Sequence, residues 1–226
     1  MPMKGSGEPT EVREIDRREH GVGWMPFPDE RMQRASHAFE IDGEVWLMDP
    51  VDFDGLDGLV TEFGEVAGVV ILLDRHKRDS AAIANRHDVS VHVPEWMDGV
   101  VEDLDAPTER VHRELGDTGA GVHKLVDNRF WQEAAVMIEE QGTLIVPESV
   151  GRAEYFLSGR ERLGVHPMLR MKPPKRLRRF SPDRVLVGHG DGIHENATEA
   201  LHDAVANSRS RTPALYGKIT KNLIFG

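Results

Sequence analysis

Apolar and polar positions along the chain alternate in blocks of two periods, the helical repeat and the strand repeat. "SHAFEIDGEVWLMDPV" reads as two strands around a tight turn, with Asp42-Gly43 at the apex and apolar residues on both sides. "DFDGLDGLVTEFG" fits a short amphipathic helix with Leu56, Leu59, Val60 and Phe63 on one side, closed by Gly64. "AGVVILL" is the continuous apolar run of a strand buried on both faces. "DSAAIANRHD" is a helix, and "VSVHVPEW" alternates Val89, Val91 and Val93 before Pro94 ends the strand. Residues 97–121 are acidic, with Pro and Gly punctuation, and predict loop with a short helix.

The second half resumes the same order. "QEAAVMIEEQGTLIVPES" is two apolar segments joined as a hairpin, and "GRAEYFLSGRERLGVHP" reads as helix and then loop. "RLRRF" ends a helix, "DRVLVGHG" is a strand, and "NATEALHDAVANSRS" is a helix with Asn196 and Glu199 spaced as a capping box. The apolar tail "LYGKITKNLIFG" predicts a closing strand or a contact between copies in a homo-oligomer. Hairpin, helix, strand and helix thus occur twice, which predicts two sheet layers with helices outside, in a single domain over 1–226. Residues 1–20 are expected to be flexible.

Composition narrows the function classes. The chain has 226 residues, 39% hydrophobic and 30% charged, and no apolar run reaches a membrane span. It contains no cysteine, so disulfides and thiolate metal sites are excluded, which fits a reducing cytoplasm. The N-terminus has no apolar secretory core. A net charge of −11, with acids spread along the chain and arginine outnumbering lysine, argues against a nucleic-acid binder. This composition resembles that of proteins from salt-loving archaea. One basic segment, "RMKPPKRLRRFSPDR", runs against the trend and reads as a solvated helix face. There is no P-loop, dinucleotide fingerprint or nucleophile elbow.

Three strand ends carry the candidate chemistry: "LLDRHKRDSAA", "GTLIVPES" and "DRVLVGHGDGIHENATEAL". In their order and setting these junctions resemble the metallo-β-lactamase fold, over residues 35–208. The resemblance implies an α+β protein, a four-layer αββα sandwich of two mixed β-sheets with outer helices. Family members carry His-x-His-x-Asp-His at the first junction, a metal-bridging Asp at the second and a metal-binding His at the third. Aligned on its Asp, this chain has Arg75 and Lys77 in place of the first two His, Asp79 matching the Asp, and Ser80 in place of the last His. His76 falls between. Glu148 replaces the bridging Asp, and His189 matches.

The resemblance therefore implies a di-metal site largely lost, and a protein that is not a di-zinc hydrolase. Removing metal ions strips carboxylates of their counter-charge, and Arg75, Lys77 and Arg78 are placed to supply it. In that reading there is no cofactor. Two others stay open. Asp79, Glu148 and His189, with His76 as a further donor, could hold one Zn, Mn or Fe ion in a mononuclear hydrolase in which Asp79 and His189 are catalytic. Alternatively Arg75, Lys77 and Arg78 form a metal-free binding site for a small anionic molecule. The substrate is not legible.

Overall fold

The protein is described by a computed structural model covering residues 2–225. Two sheets face each other. The first has seven strands in chain order: β1 (Arg13–Arg18), β2 (Gly21–Met25), β3 (Ser36–Ile41), β4 (Glu44–Met48), β5 (Glu65–Val70), β6 (Val91–Pro94) and β7 (Thr108–Val111). Its first four strands pair antiparallel, and β4 through β7 pair parallel. The β3–β4 turn is the one predicted. Asp42 and Gly43 both have positive φ, 55° and 85°, as a tight two-residue hairpin demands.

The second sheet has four strands, β8 (Gly121–Asn128), β9 (Trp131–Ile138), β10 (Thr143–Val146) and β13 (Arg184–Val187), ordered β13-β10-β9-β8. β9 and β10 form the expected hairpin, while β10 and β13 run parallel in the register Val146↔Val187. A small ribbon of β11 (Val150–Gly151) and β12 (Gly164–Val165) flanks it.

Period-two alternation sorts the core into layers. Ala134, Val136, Ile138, Ile145 and Leu186 point between the sheets and pack with the first sheet. Their neighbours Ala135, Met137, Leu144, Val146, Val185 and Val187 point the other way, against Ala197, Leu201 and Ala204 of the long helix α4 (Ala197–Phe225). Helices α1 (Leu56–Val60) and α2 (Ser80–His87) supply Leu56, Val60, Ile83 and Ala84 to the first sheet's core. α3 (Asp98–Val101) is a single turn. Helix, sheet, sheet and helix make the predicted four layers. "VVILL" and "VLVGHG" lie in opposite sheets, and no described helix is long and apolar enough to cross a membrane.

Several local readings differ. β1 lies inside the N-terminal stretch expected to be flexible, β7 inside the stretch expected to be loop, and β8 makes a second hairpin with β9. Charged or Gly-broken sequence hid all three, because their pairing comes from neighbours rather than from a period of their own. "GRAEYFLSGRERLGVHP" forms β11, a 3-10 turn and β12, not a helix. Asn196 has φ 51°, outside the extended geometry of an N-cap, so the expected capping box does not form. The backbone of the C-terminal tail continues α4 rather than adding a strand. Its last side chains, and any contact between copies made through them, lie outside the described residues.

The basic segment is not one solvated face. Arg170 is fully buried, as is its partner Glu161, with Nη2–Oε2 at 2.5 Å. Its guanidinium also donates to the carbonyls of Val165 and Phe156, and Ser208 Oγ of α4 donates back to the Arg170 carbonyl. Glu161→Ala would strand a buried cation, and should cost about 3–5 kcal/mol in urea unfolding. Glu161→Leu combined with Arg170→Met should recover most of that loss.

Candidate metal centre

The three strand ends singled out in the sequence meet where the sheets join. Parallel pairing of β10 and β13 brings the residues after Val146 and Val187 side by side, and so delivers Glu148 next to His189. A Cβ at Gly188 would collide with the Pro147 carbonyl, so only glycine permits that approach; Gly190 follows at φ 94°. From the first sheet, the chain beyond β5 crosses to β9. Ala134 N–H donates to the Leu72 carbonyl (2.8 Å) and Asp74 N–H to the Gln132 carbonyl (3.0 Å). This seam puts the "DRHKRD" loop above Glu148.

The side chain pointing inward from that loop is His76. His76, Glu148 and His189 are all buried, and they offer ligand atoms within 4.8 Å of one another. His76 Nε2 lies 3.2 Å and His189 Nε2 3.4 Å from the same Glu148 oxygen, Oε2. The tautomers follow from the other ring nitrogens. His76 Nδ1 is 2.9 Å from Asp49 Oδ2, and His189 Nδ1 is 2.8 Å from the Met32 carbonyl. Each Nδ1 therefore carries the proton, and a neutral ring then presents a bare lone pair at Nε2. Two lone pairs and a carboxylate oxygen face one another, and the donor beside them is Arg78 Nη2, 3.5 Å from His76 Nε2. A cation, or an extra proton on the rings, resolves that repulsion.

The surroundings hold the donors in place. Glu133 is buried, and its carboxylate accepts from the backbone N–H of Glu148 (3.0 Å) and Ser149 (2.7 Å), from Ser149 Oγ and from Trp131 Nε1 (2.8 Å). Burial pushes the Glu133 carboxyl up, and these donors oppose the rise. Asp49 Oδ1 accepts from Leu72 N–H at 2.8 Å, which fixes the carboxylate whose Oδ2 orients His76. His166 accepts Met168 N–H at Nδ1, so its Nε2–H faces Glu148 Oε1 at 3.4 Å. Burial pushes His189 down despite Glu148.

The residues expected from the sequence divide. Glu148 and His189 come together. Asp79 sits at the start of α2, where Oδ2 accepts from Asp52 N–H at 2.9 Å, and the third member of the buried group is His76. Lys77 turns out to Asp103, in a pair with side chains 35% and 62% exposed. Arg75 stacks on Trp131 at 4.0 Å, with Nε 4.0 Å from Glu148 Oε2. Arg78 points inward, at φ 41°, and donates from Nη1 to the carbonyls of Ala35 (2.7 Å) and Asp49 (2.6 Å). Inward and outward residues alternate, with His76 and Arg78 in, Arg75 and Lys77 out. A register one residue away from the alignment on Asp79 puts His76 on the second His of the family motif. That alternative register, with a histidine on a histidine position, was the available signal. Asp49, Glu133 and His166 carried none, because each comes from a different element.

The site imposes an acid limit. His166 is lowered from 6.5 to about 4, by burial first, with Glu148 opposing, and buried His37 is also lowered. Groups held neutral in the fold but protonated when unfolded contribute stability that is complete above about 6.5 and falls as pH drops toward about 4. Melting temperature should decline through that window, and less steeply in His166→Gln.

No protein-family model matches the chain, and no curated protein matches it in sequence. Solved structures do. The DIM-1 metallo-β-lactamase exposed to ceftazidime aligns over 89% of this chain and 100% of its own, with a TM-score of 0.63 and 14% identity. The metallo-β-lactamase from Pontibacter korlensis aligns over 87% and 100%, with a TM-score of 0.61 and 11% identity. The peroxy diiron species of the chemotaxis sensor ODP aligns over 92% and 99%, with a TM-score of 0.57 and 10% identity. At such identities what is shared is the architecture. With whole chains of that class superimposing on most of its length, the chain has the metallo-β-lactamase fold.

Proposed function

We propose that the protein is a mononuclear metal-dependent hydrolase that holds one divalent ion through His76, Glu148 and His189. The observation supporting this is the convergence, in a buried cluster, of one carboxylate oxygen and two Nε2 atoms whose ring partners Nδ1 face acceptors. Two imidazoles and a carboxylate suit Zn, Mn or Fe, and three protein ligands are the number of a catalytic zinc site. A bound ion supplies a Lewis acid and a water acidic enough to ionise near neutrality.

The chain's own residues do the positioning. Asp49 and the Met32 carbonyl orient the two rings and fix their tautomers, as partners of metal-binding histidines do. His166 occupies Glu148 Oε1 and leaves Oε2 to face the rings. Glu133 anchors the turn that carries Glu148. Trp131 and Tyr155 pack around His166 and keep bulk water from its ring. Arg78 Nη2 lies 3.5 Å from His76 Nε2; it has to draw back for that nitrogen to ligate an ion, and its charge then opposes a further cation. A di-metal centre is accordingly not part of this reading.

Elemental analysis of protein loaded with Zn or Mn should give one equivalent per chain, lost in Glu148→Ala and His189→Ala and kept in Asp79→Ala. Asp49→Ala should weaken the metal about 10–100-fold while leaving the stoichiometry. Protein free of metal after loading, with unaltered melting temperature, would instead favour the metal-free reading, in which Glu148 pairs with protonated histidines. Two equivalents would reject both.

A further inference from the structure

His189 is held by a turn that contributes no ligand. Residues 27–35 run beside the 188–190 segment and touch it at three successive places. Ala35 N–H donates to the Gly188 carbonyl (2.8 Å), the Met32 carbonyl faces His189 Nδ1 (2.8 Å), and Gly190 N–H donates to the Gln33 carbonyl (2.9 Å). The turn puts Gln33 at φ 45°, a backbone region that residues with a side chain rarely enter. Such a conformation persists only when its surroundings impose it. Glu30 is one source of that support. Its carboxylate is buried under the turn, where Oε1 accepts from Arg34 N–H (2.9 Å) and Nε (2.7 Å) and Oε2 accepts from Arg34 Nη2 (2.8 Å). The remaining donor is distant in sequence. Gly5 N–H donates to Glu30 Oε2 at 2.6 Å, and the Gly5 carbonyl accepts from Arg34 Nη2 at 3.0 Å. The same N-terminal strap takes two backbone donors of the turn: Arg31 N–H donates to the Pro2 carbonyl (2.9 Å) and Met32 N–H to the Met3 carbonyl (3.1 Å). Met32 is thus fastened to the strap through its N–H and to His189 through its carbonyl. Pro2, Met3 and Lys4 are exposed, so backbone bonds rather than burial hold the strap down. Gly5 lies against Phe27, where a Cβ would come within 2.5 Å of the ring.

We propose that Glu30 is a positioning residue of the metal centre, and that residues 2–5, docked on it, are a latch that keeps His189 in its ligating tautomer. The consequence for metal rests on the reading proposed above, while the geometry belongs to the metal-free protein. With the latch closed, the Met32 carbonyl takes the Nδ1 proton and Nε2 keeps its lone pair. With the latch open, the turn relaxes, Nδ1 loses its acceptor, and the ring directs its proton from Nε2 to the Glu148 carboxylate. An incoming ion must then displace that proton. An exposed strap thereby governs a fully buried ligand.

Long-range proton–nitrogen correlation spectra of the metal-free full chain read the His189 tautomer, and competition with a chromophoric chelator reads Zn affinity. The parent should show Nδ1–H. Gly5→Val, which lifts the strap off Phe27, and Glu30→Ala should both bring in the Nε2–H form and weaken Zn about 10–100-fold, the range for loss of an outer partner of a ligating histidine. Glu30→Gln, which keeps one acceptor oxygen for Arg34, should fall between Glu30→Ala and the parent. Glu161→Ala, which destabilises the fold at another buried pair, should leave the His189 ring as in the parent. A tautomer unchanged in Gly5→Val and Glu30→Ala overturns the proposal, and so does an equal change in Glu161→Ala or a parent ring protonated at Nε2. Gly5→Val reads the latch even where Glu30→Ala fails to fold. A parent that binds no Zn sinks the hydrolase reading instead, and the ring spectra alone then decide the latch.

Discussion

The seam between the two sheets is the constraint from which the centre follows. Beyond β5 the chain leaves its own sheet and pairs with β9 of the other, through Leu72, Asp74, Gln132 and Ala134. Asp74 closes the seam from its side chain as well, accepting Gln132 N–H at 3.0 Å. A backbone ladder has one allowed register here, and a slip of one residue would exchange His76 for Arg75 or Lys77 inside the pocket. The seam therefore decides which residue of a strongly basic loop meets Glu148. Glu133, on the partner strand of the seam, also holds the turn bearing Glu148, so the same few residues place both sides of the donor set.

Protons, rather than distances, give the site its chemical meaning. Imidazoles near a carboxylate form an ordinary ion pair when a ring proton points at the carboxylate. Here both Nδ1 protons are already used, one on Asp49 and one on a carbonyl, and both Nε2 atoms turn toward one oxygen. His189 is fully buried, which disfavours the second proton an ion pair would need. The surrounding shell is correspondingly complete: every oxygen of Asp49 and Glu133 and both of Glu148 have an assigned neighbour. Against that order, the Arg78 Nε and the Tyr155 hydroxyl are buried with no partner among the described residues.

Much of the architecture was legible. The Asp42-Gly43 hairpin, the apolar run through Leu73, the β9–β10 hairpin and the helix after His189 are each written in a local period or turn signal, because each is stabilised by residues near it in sequence. Glu148 and His189 were legible through the resemblance of their strand ends to those of the metallo-β-lactamase fold. β1, β7 and β8 were not, because charged edge strands take their conformation from a neighbour's unpaired backbone.

What the sequence by itself determined is therefore the two-sheet order, the three strand ends and the identity of the residues available there. Tertiary structure alone decided which of Arg75, His76, Lys77, Arg78 and Asp79 faces inward, because the apolar run has no period of two to propagate into the loop. It also decided that Glu133 and His166 would meet Glu148, and that Asp49 would meet His76, from three distant parts of the chain. Orientation of a side chain at a site is set by pairing across the sheets and by the tautomer that a distant acceptor imposes. Neither is a property of a local stretch of residues, so only the folded chain could supply them.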